Sequence, residues 1–444
     1  LTAPARAFVL GGGVAGLCAA FGLRDRGLQV RLLEAHGWLG GRVCSFRDRR
    51  TGVLFDNGPH VLLGCYRAMR ALLARLHSEH RFAVGNGLRV AYRCAGGRSA
   101  RLRLPGLPVP LALPPALLLL PLGAGGRLRA LWGLWSALRG APPSWTLQQW
   151  IDRKGQRGAP AAFFWTPLCR AIMNVEPAAA SAALFLRTLR AAFGGRAAAG
   201  ALWAPVQPWG ELVGAAAERQ LQQEGIAVHK GARITGLVLD GGLVTALRLG
   251  DGTAITVTAA DTVVSALPWH ALAPLLDPPA PPFARLQPSP LVTIHFELAG
   301  GAVPPPDDGP LVVLVDGEPF HFLYRTPGAP PGRFALLAGG NRALDGLPVL
   351  EIERLARAQL VRYYPQFDSA VPAGTRVAKE ARATFIAAPA ALAARPRPGR
   401  LPGGPRNLLV CGDWTDCGLP ATLEGAARSA ELLLAGIAPA PPLR

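Results

Sequence analysis

Arg6-Ala7-Phe8-Val9-Leu10-Gly11-Gly12-Gly13-Val14-Ala15-Gly16 is the stretch on which the fold turns. Five residues of apolar strand run into Gly11-x-Gly13-x-x-Gly16, and Val14, Leu17, Ala20, Phe21 and Arg24 then recur at helical spacing up to Gly27. Gln29 to Leu33 reads as a second strand ending at Glu34, which completes a βαβ opening. Gly11 permits the tight turn, Gly13 admits a pyrophosphate close to the backbone, and Gly16 lets the helix pack on the strand. The helix N-terminus then faces the phosphates. Glu34 stands where a carboxylate accepts the hydroxyls of an adenosine ribose, so an adenine dinucleotide is expected.

The segments that follow favour FAD over NAD. Gly37-Trp38-Leu39-Gly40-Gly41-Arg42 is a second glycine turn, with an arginine able to neutralise pyrophosphate charge. Near the other end, Asn407 to Cys411 reads as a buried strand, followed by Gly412-Asp413-Trp414 and a helix from about Ala421 to Leu434. Asp413 suits the ribityl and pyrophosphate portion. A helix beginning at Ala421-Thr422 points its positive end at the flavin's pyrimidine edge.

Between these ends, Val228 to Val257 reads as a small antiparallel meander punctuated by Asp240-Gly241-Gly242 and Asp251-Gly252. Asp261 to Leu267, stopped by Pro268, reads as a strand returning to a buried sheet. Strands of one sheet at both ends and in the middle imply a discontinuous domain. The 444 residues, half of them apolar, suffice for two large interleaved units.

The chain carries 47 Lys+Arg against 28 Asp+Glu, a net +19, yet its lysines are only Lys154, Lys230 and Lys379. This is an arginine-rich composition spread along the chain, and no nucleic-acid-reading module accompanies it. The seven cysteines are scattered without a C-x-x-C pair, which reads as a reducing cytosol, and no export signal is evident.

Arg81 to Ile151 contains nine arginines and no acidic residue. Within it, Leu104 to Gly126 is uncharged and long enough to span a bilayer, but its six prolines argue against a regular spanning helix. Arg127 to Arg139 then places Leu128, Leu131, Trp132, Trp135 and Leu138 on one helical face with arginines at its edges. Such a stripe packs either on the protein's own core or on a membrane surface.

Four further segments carry a family resemblance: Phe55-Asp56-Asn57-Gly58-Pro59-His60-Val61-Leu62-Leu63-Gly64-Cys65-Tyr66; Trp165-x-Pro167-Leu168 with Asn174; Glu380-x-x-Ala383-Thr384-Phe385; and Gly412-Asp413-Trp414-Thr415-Asp416-x-Gly418-Leu419-Pro420-Ala421-Thr422-x-Glu424-Gly425. In family order and nearly end to end, they resemble the squalene-associated FAD-dependent desaturases. These are the hydroxysqualene dehydroxylases of bacterial hopanoid synthesis, within the phytoene desaturase and amine oxidase superfamily. Pro59 stands where that pattern has Gln, Cys417 where it has Thr, and Gln207-Pro208-Trp209-Gly210 replaces a Leu/Ser-rich stretch.

The resemblance implies an α/β fold with a glutathione-reductase-like FAD-binding Rossmann domain from 1–85, 206–275 and 398–444. It also implies an inserted mixed-sheet and helical substrate domain from 86–205 and 276–397, whose apolar part at about 104–140 is the segment read above as facing either the core or a membrane. The activity implied is reduction of hydroxysqualene to squalene by reduced FAD. A carotenoid or polyene desaturase and a non-catalytic prenyl-lipid-binding flavoprotein are the alternatives. The expected cofactor contacts are Gly11, Gly13, Val14, Ala15, Gly16, Glu34, Ala35, Gly40, Gly41, Arg42, Gly58, Pro59, His60, Ile234, Gly412, Asp413, Pro420, Ala421 and Thr422. His60, Glu380 and Asp416 are the candidate proton donors, each with a structural reading beside it: a neutral backbone-bonded histidine, an Arg-paired carboxylate and a helix cap. No metal is expected, since His77-x-x-His80 with Glu79 reads as a solvated helix surface and no second cluster accompanies it. The expected partners are a long-chain isoprenoid, a membrane surface and the upstream squalene-pathway synthases, and the expected location is the cytoplasm or, peripherally, the inner face of a bacterial cytoplasmic membrane.

Overall fold

The computed structural model describes residues 5–49, 51–104, 107–276, 281–298, 309–330, 332–368 and 372–438. Arg6–Leu10 and Gln29–Glu34 pair in parallel, with Leu10 opposite Leu33, and the helix Val14–Arg24 crosses between them. They lie at the centre of a six-stranded sheet ordered Ala227–Lys230, Gln29–Glu34, Arg6–Leu10, Thr262–Ser265, Leu408–Val410 and Gly399–Arg400. Its first five strands are parallel and the last is antiparallel. Phe8, Val9, Leu10, Leu32, Val263 and Val264 are fully buried, as expected of strands covered on both faces.

Ala227–Lys230 corrects the reading of the middle segment. Val228 lies in the parallel sheet, opposite Leu32, and not in the meander. The meander begins at Ile234 and consists of Ile234–Asp240, Leu243–Leu249 and Ala254–Thr256, all antiparallel. An apolar run this short is ambiguous by pattern alone, and its partner strand lay far back in the sequence.

A second sheet of seven strands runs in the order Pro372–Phe385, Pro288–Leu298, Arg333–Gly339, Phe322–Tyr324, Leu311–Leu314, Arg89–Arg93 and Ser99–Arg103. Val292, Ile294, Phe296, Leu336 and Ala338 bury one face against Ile352, Ala356 and Leu360 of the helix Val349–Tyr363. The opposite face carries Leu291, Thr293 and His295, with Phe322 and Tyr324 in register beside them, and meets the segment around Asp56.

The apolar arginine-flanked stretch forms two helices, Val109–Leu118 and Gly123–Leu138; Pro105 and Gly106 lie outside the described residues. Among the described residues no helix is long and apolar enough to cross a membrane. Pro110 occupies the first turn of its helix, where a missing N–H costs nothing.

The seven-stranded sheet is tied to the Ser45 and Trp209 segments through Asp56, at the end of the short strand Leu54–Asp56. Its Oδ1 accepts from Ser45 Oγ at 2.6 Å and from the Trp209 N–H at 2.8 Å, while its carbonyl oxygen lies 2.9 Å from His295 Nε2. Ser45 Oγ in turn accepts from the Gly210 N–H at 2.8 Å, so the clamp joins three distant segments. Burial pushes the Asp56 carboxyl up to about 6, against the opposing pull of these two donors. The unfolded chain ionises Asp56 near 4. Between about pH 4 and pH 6 the folded state therefore binds the extra proton, and stability declines as pH rises through that window. Asp56→Asn preserves the Oδ1 acceptor and cannot ionise. Thermal melts should show the variant's Tm gaining about 3 °C relative to wild type between pH 4 and pH 6; a constant difference would show that Asp56 does not titrate there.

Candidate active site

The glycine turns are positions where backbone must touch backbone. Gly11 adopts φ +98°, and a Cβ at Gly16 would lie 1.8 Å from the Gly11 carbonyl oxygen. The second turn docks on the first: the Gly40 N–H donates to the Gly12 carbonyl at 2.8 Å, and a Cβ at Gly41 would sit 3.1 Å from the Gly13 Cα. Among the described residues no side chain caps the helix at Gly13, which suits the amides of Val14, Ala15 and Gly16 to an anion. Glu34 is buried, with Oε2 accepting from the Gly12 N–H at 2.6 Å and Oε1 from the His36 N–H at 2.8 Å. Each oxygen keeps a lone pair for a ribose diol. Ala35 lies between these two contacts, and Ile234 opens the meander three residues after Gly231, whose N–H donates to the His36 carbonyl.

The C-terminal segment closes over this loop. Arg42 Nη2 lies 2.7 Å from Asp413 Oδ2, and Arg42 Nη1 donates to the Ala383 carbonyl at 2.5 Å. Burial opposes the Arg42 charge, but Asp413 and Glu380 beside it more than offset that penalty and raise its pKa. Gly412, at φ +143°, donates its N–H to Ser429 Oγ at 2.8 Å. Beyond Pro420 and Ala421, Thr422 caps the helix Leu423–Ala435, its Oγ1 accepting from the Gly425 N–H at 3.0 Å. Glu424, in the first turn of that helix, is turned away from it. Its carboxylate accepts from the amides of Ala68 and Met69 at 3.2 and 3.0 Å and caps the helix Arg67–Arg75.

These residues fit FAD: a buried carboxylate for the ribose, an uncapped helix start beside two touching glycine turns for the pyrophosphate, and Arg42 and Asp413 between them. Gly58 packs on the second sheet, where a Cβ would lie 2.9 Å from Leu291 Cδ2, and Pro59 follows it. His60 sets its ring edge-on to Trp209, whose Nε1 donates to the His60 carbonyl at 3.1 Å. Burial and the nearby Arg42 lower its imidazole to about 4, so His60 is neutral at pH 7. Glu380 Oε2 accepts from Asn57 Nδ2 at 3.4 Å, and its Oε1 accepts from the Arg382 N–H at 3.2 Å. Asp416 is placed apart from this group. Its Oδ1 accepts from the Gly418 N–H at 3.2 Å and lies 3.8 Å from both Arg187 and Arg395.

Three groups at the site were not singled out by the sequence. His270, just beyond the strand Thr262–Ser265, has Nδ1 3.0 Å from Arg382 Nη1 and lies in the electrostatic neighbourhood of Arg42, Glu380 and Asp413. Its place at the carboxyl end of a central parallel strand, where such sheets bind ligands, was the available signal. Arg395 is buried and donates to the carbonyls of Trp414, Thr415 and Leu419, which shapes the loop through Asp416. One arginine among so many carried no distinguishing pattern. Thr293 Oγ1 is buried on the sheet face opposite Gly58, with no hydrogen-bond partner among the described residues. The discounted candidates stay modest: Glu79 is bonded to Arg70 at 2.8 Å, and burial pushes the Cys65 thiol up to about 11.

The architecture and its relatives agree. The chain superposes on an oxidoreductase from Methanosarcina mazei with a TM-score of 0.73 at 16% identity, covering 96% of this chain and 99% of the other. It is 30% identical over 442 residues to the hydroxysqualene dehydroxylase of Rhodopseudomonas palustris, covering 96% of this chain and 98% of the relative. Similarity to the zeta-carotene desaturase of Solanum lycopersicum, at 38% identity, is confined to 76 residues, 17% of this chain and 13% of that one. Residues 14–432 match the family of flavin-containing amine oxidoreductases. With the glycine turns, Glu34, Arg42 and Asp413 all in place, the chain belongs to that family and is an FAD-dependent oxidoreductase.

Proposed function

We propose that this enzyme removes the hydroxyl of hydroxysqualene to give squalene, in the supply of squalene for hopanoid synthesis. The observation that carries this reading is the extent of similarity: the hydroxysqualene dehydroxylase of Rhodopseudomonas palustris is matched along essentially its whole length, including the substrate-domain segments, whereas the carotenoid desaturase is matched over a sixth of this chain. The reaction replaces a C–OH bond by C–H with loss of water, and reduced FAD supplies the two electrons. The chain's own residues must then bind an apolar polyene, exclude bulk water and deliver a proton to the departing oxygen.

Leu291 and the segment around Gly58 offer an apolar surface beside Glu380 and Asn57, interrupted by the Thr293 hydroxyl, which has no hydrogen-bond partner among the described residues. Among the three candidate proton donors, geometry favours Glu380. It stands in register with Leu291 on the second sheet and is held by Asn57 and the Arg382 amide, whereas the His60 ring packs edge-on to Trp209 and Asp416 is fixed between two arginines apart from this group. The intact set of Glu34, Arg42 and Asp413 argues for catalysis over passive lipid binding.

Anaerobic enzyme with its flavin chemically reduced should reoxidise on addition of hydroxysqualene, with squalene in the extract. Flavin that stays reduced under those conditions would overturn the substrate assignment. Glu380→Gln should retain the flavin absorbance and lose turnover by about a hundredfold, the range typical of a general acid. Turnover unchanged in that variant would transfer the role to His60.

A further inference from the structure

The helix Gly123–Leu138 is amphipathic in an inverted sense. Its small residues face inward: Gly126, Ala130, Gly133, Ser136 and Ala137 are buried. Four of its large apolar residues face outward, with Leu128 71%, Trp132 49%, Trp135 44% and Leu138 66% exposed, while Leu134 packs against the core. The seat beneath fixes this orientation. A Cβ at Gly133 would lie 2.3 Å from Gln156 Oε1 and 2.9 Å from Trp165, so no larger residue fits inward. Gln156 Nε2 donates to the Arg129 carbonyl at 2.7 Å and Trp165 Nε1 donates to Gln156 Oε1 at 3.0 Å, which bonds the helix to its support. Arg190 Nη1 secures the far end at the Leu138 carbonyl, 2.8 Å away. The preceding helix adds exposed Leu111 and ends at exposed Leu119. A soluble protein rarely leaves so many large apolar side chains contiguous in sequence and open to water.

The charged residues of this segment have one sign. Arg127, Arg129 and Arg139 flank the apolar stripe, Arg139 lies over the Trp135 ring with its Cζ 3.1 Å from the centroid, and no acidic residue occurs from Arg81 to Ile151. A two-fold contact with a second copy would set these arginines against their equivalents. An anionic bilayer satisfies both requirements at once, with acyl chains for leucine and phosphates for arginine, while tryptophan is suited to the boundary between them.

We propose that the face formed by Leu128, Trp132, Trp135 and Leu138, rimmed by Arg127, Arg129 and Arg139, docks the enzyme on an anionic lipid bilayer. The helix lies in the plane of the interface without crossing it. This inference rests on the outward side chains and does not depend on the identity of the substrate.

The test uses the purified FAD-loaded enzyme and flotation with vesicles of phosphatidylglycerol and phosphatidylcholine, or of phosphatidylcholine alone. Wild type should float with the anionic vesicles, release at high salt, and bind the neutral ones at least about tenfold more weakly. Trp132→Ala with Trp135→Ala should reduce flotation by about tenfold or more while the flavin spectrum is retained. Leu128→Ser with Leu138→Ser provides a second pair that leaves the tryptophans in place, and should do the same. Wild type that fails to float, or variants that float equally well, would overturn the proposal. A concentration-dependent dimer abolished by both pairs, without vesicle binding, would assign the face to a second copy instead.

Discussion

A methyl group at position 16 would sit 1.8 Å from the Gly11 carbonyl oxygen, and most of this structure follows from the absence of that methyl group. Because the helix Val14–Arg24 can lie hard against its strand, its first amides stand directly over the carboxyl ends of the parallel strands. The same economy of atoms lets the Gly40 turn rest on Gly12 and Gly13, which brings Arg42 over the loop. A Cβ at either contact would separate turn from turn and leave the buried Glu34 carboxylate without the Gly12 amide that it accepts.

The second organising feature is charge. Arg42 links the N-terminal turn to Asp413 of the C-terminal segment and to the Ala383 carbonyl of the longest strand in the second sheet. Three regions distant in sequence therefore converge on one guanidinium, whose planar fork can serve several acceptors at once. Around it gather Glu380, His270 and His60, each influenced by its charge or influencing it. The site is thus a guanidinium flanked by carboxylates with a neutral imidazole beside it, and the glycine turn in front of Arg42 had already marked that arginine out among the many in the sequence.

Much of this was legible from residues. The glycine spacing, the strand-terminal Glu34 and the Asp413 segment located the cofactor turns, because each depends on local backbone geometry that sequence encodes directly. The outward stripe of Leu128, Trp132, Trp135 and Leu138 was also visible as a period, although which way it faced depended on Gly133 and its contact with Trp165. What escaped were groups defined by tertiary partners. Val228 joined the parallel sheet through Leu32, Asp56 became a clamp through Ser45 and Trp209, and Arg395 reached three carbonyls of a loop that its own neighbours gave no hint of. Such roles arise from proximity in space between residues separated in sequence, and no local pattern reports them.

The discontinuity of the nucleotide-binding sheet has a consequence for biosynthesis. The strand Leu408–Val410, the Gly412–Asp413 turn and the capped helix at Thr422 emerge from the ribosome some four hundred residues after the glycine loop they complete. Throughout elongation the N-terminal βαβ unit must persist with one flank of its sheet unpaired and its arginine without its carboxylate. Cofactor capture and closure of the sheet are then a single late event, so a chain shortened by its final helix would lose the flavin along with the fold.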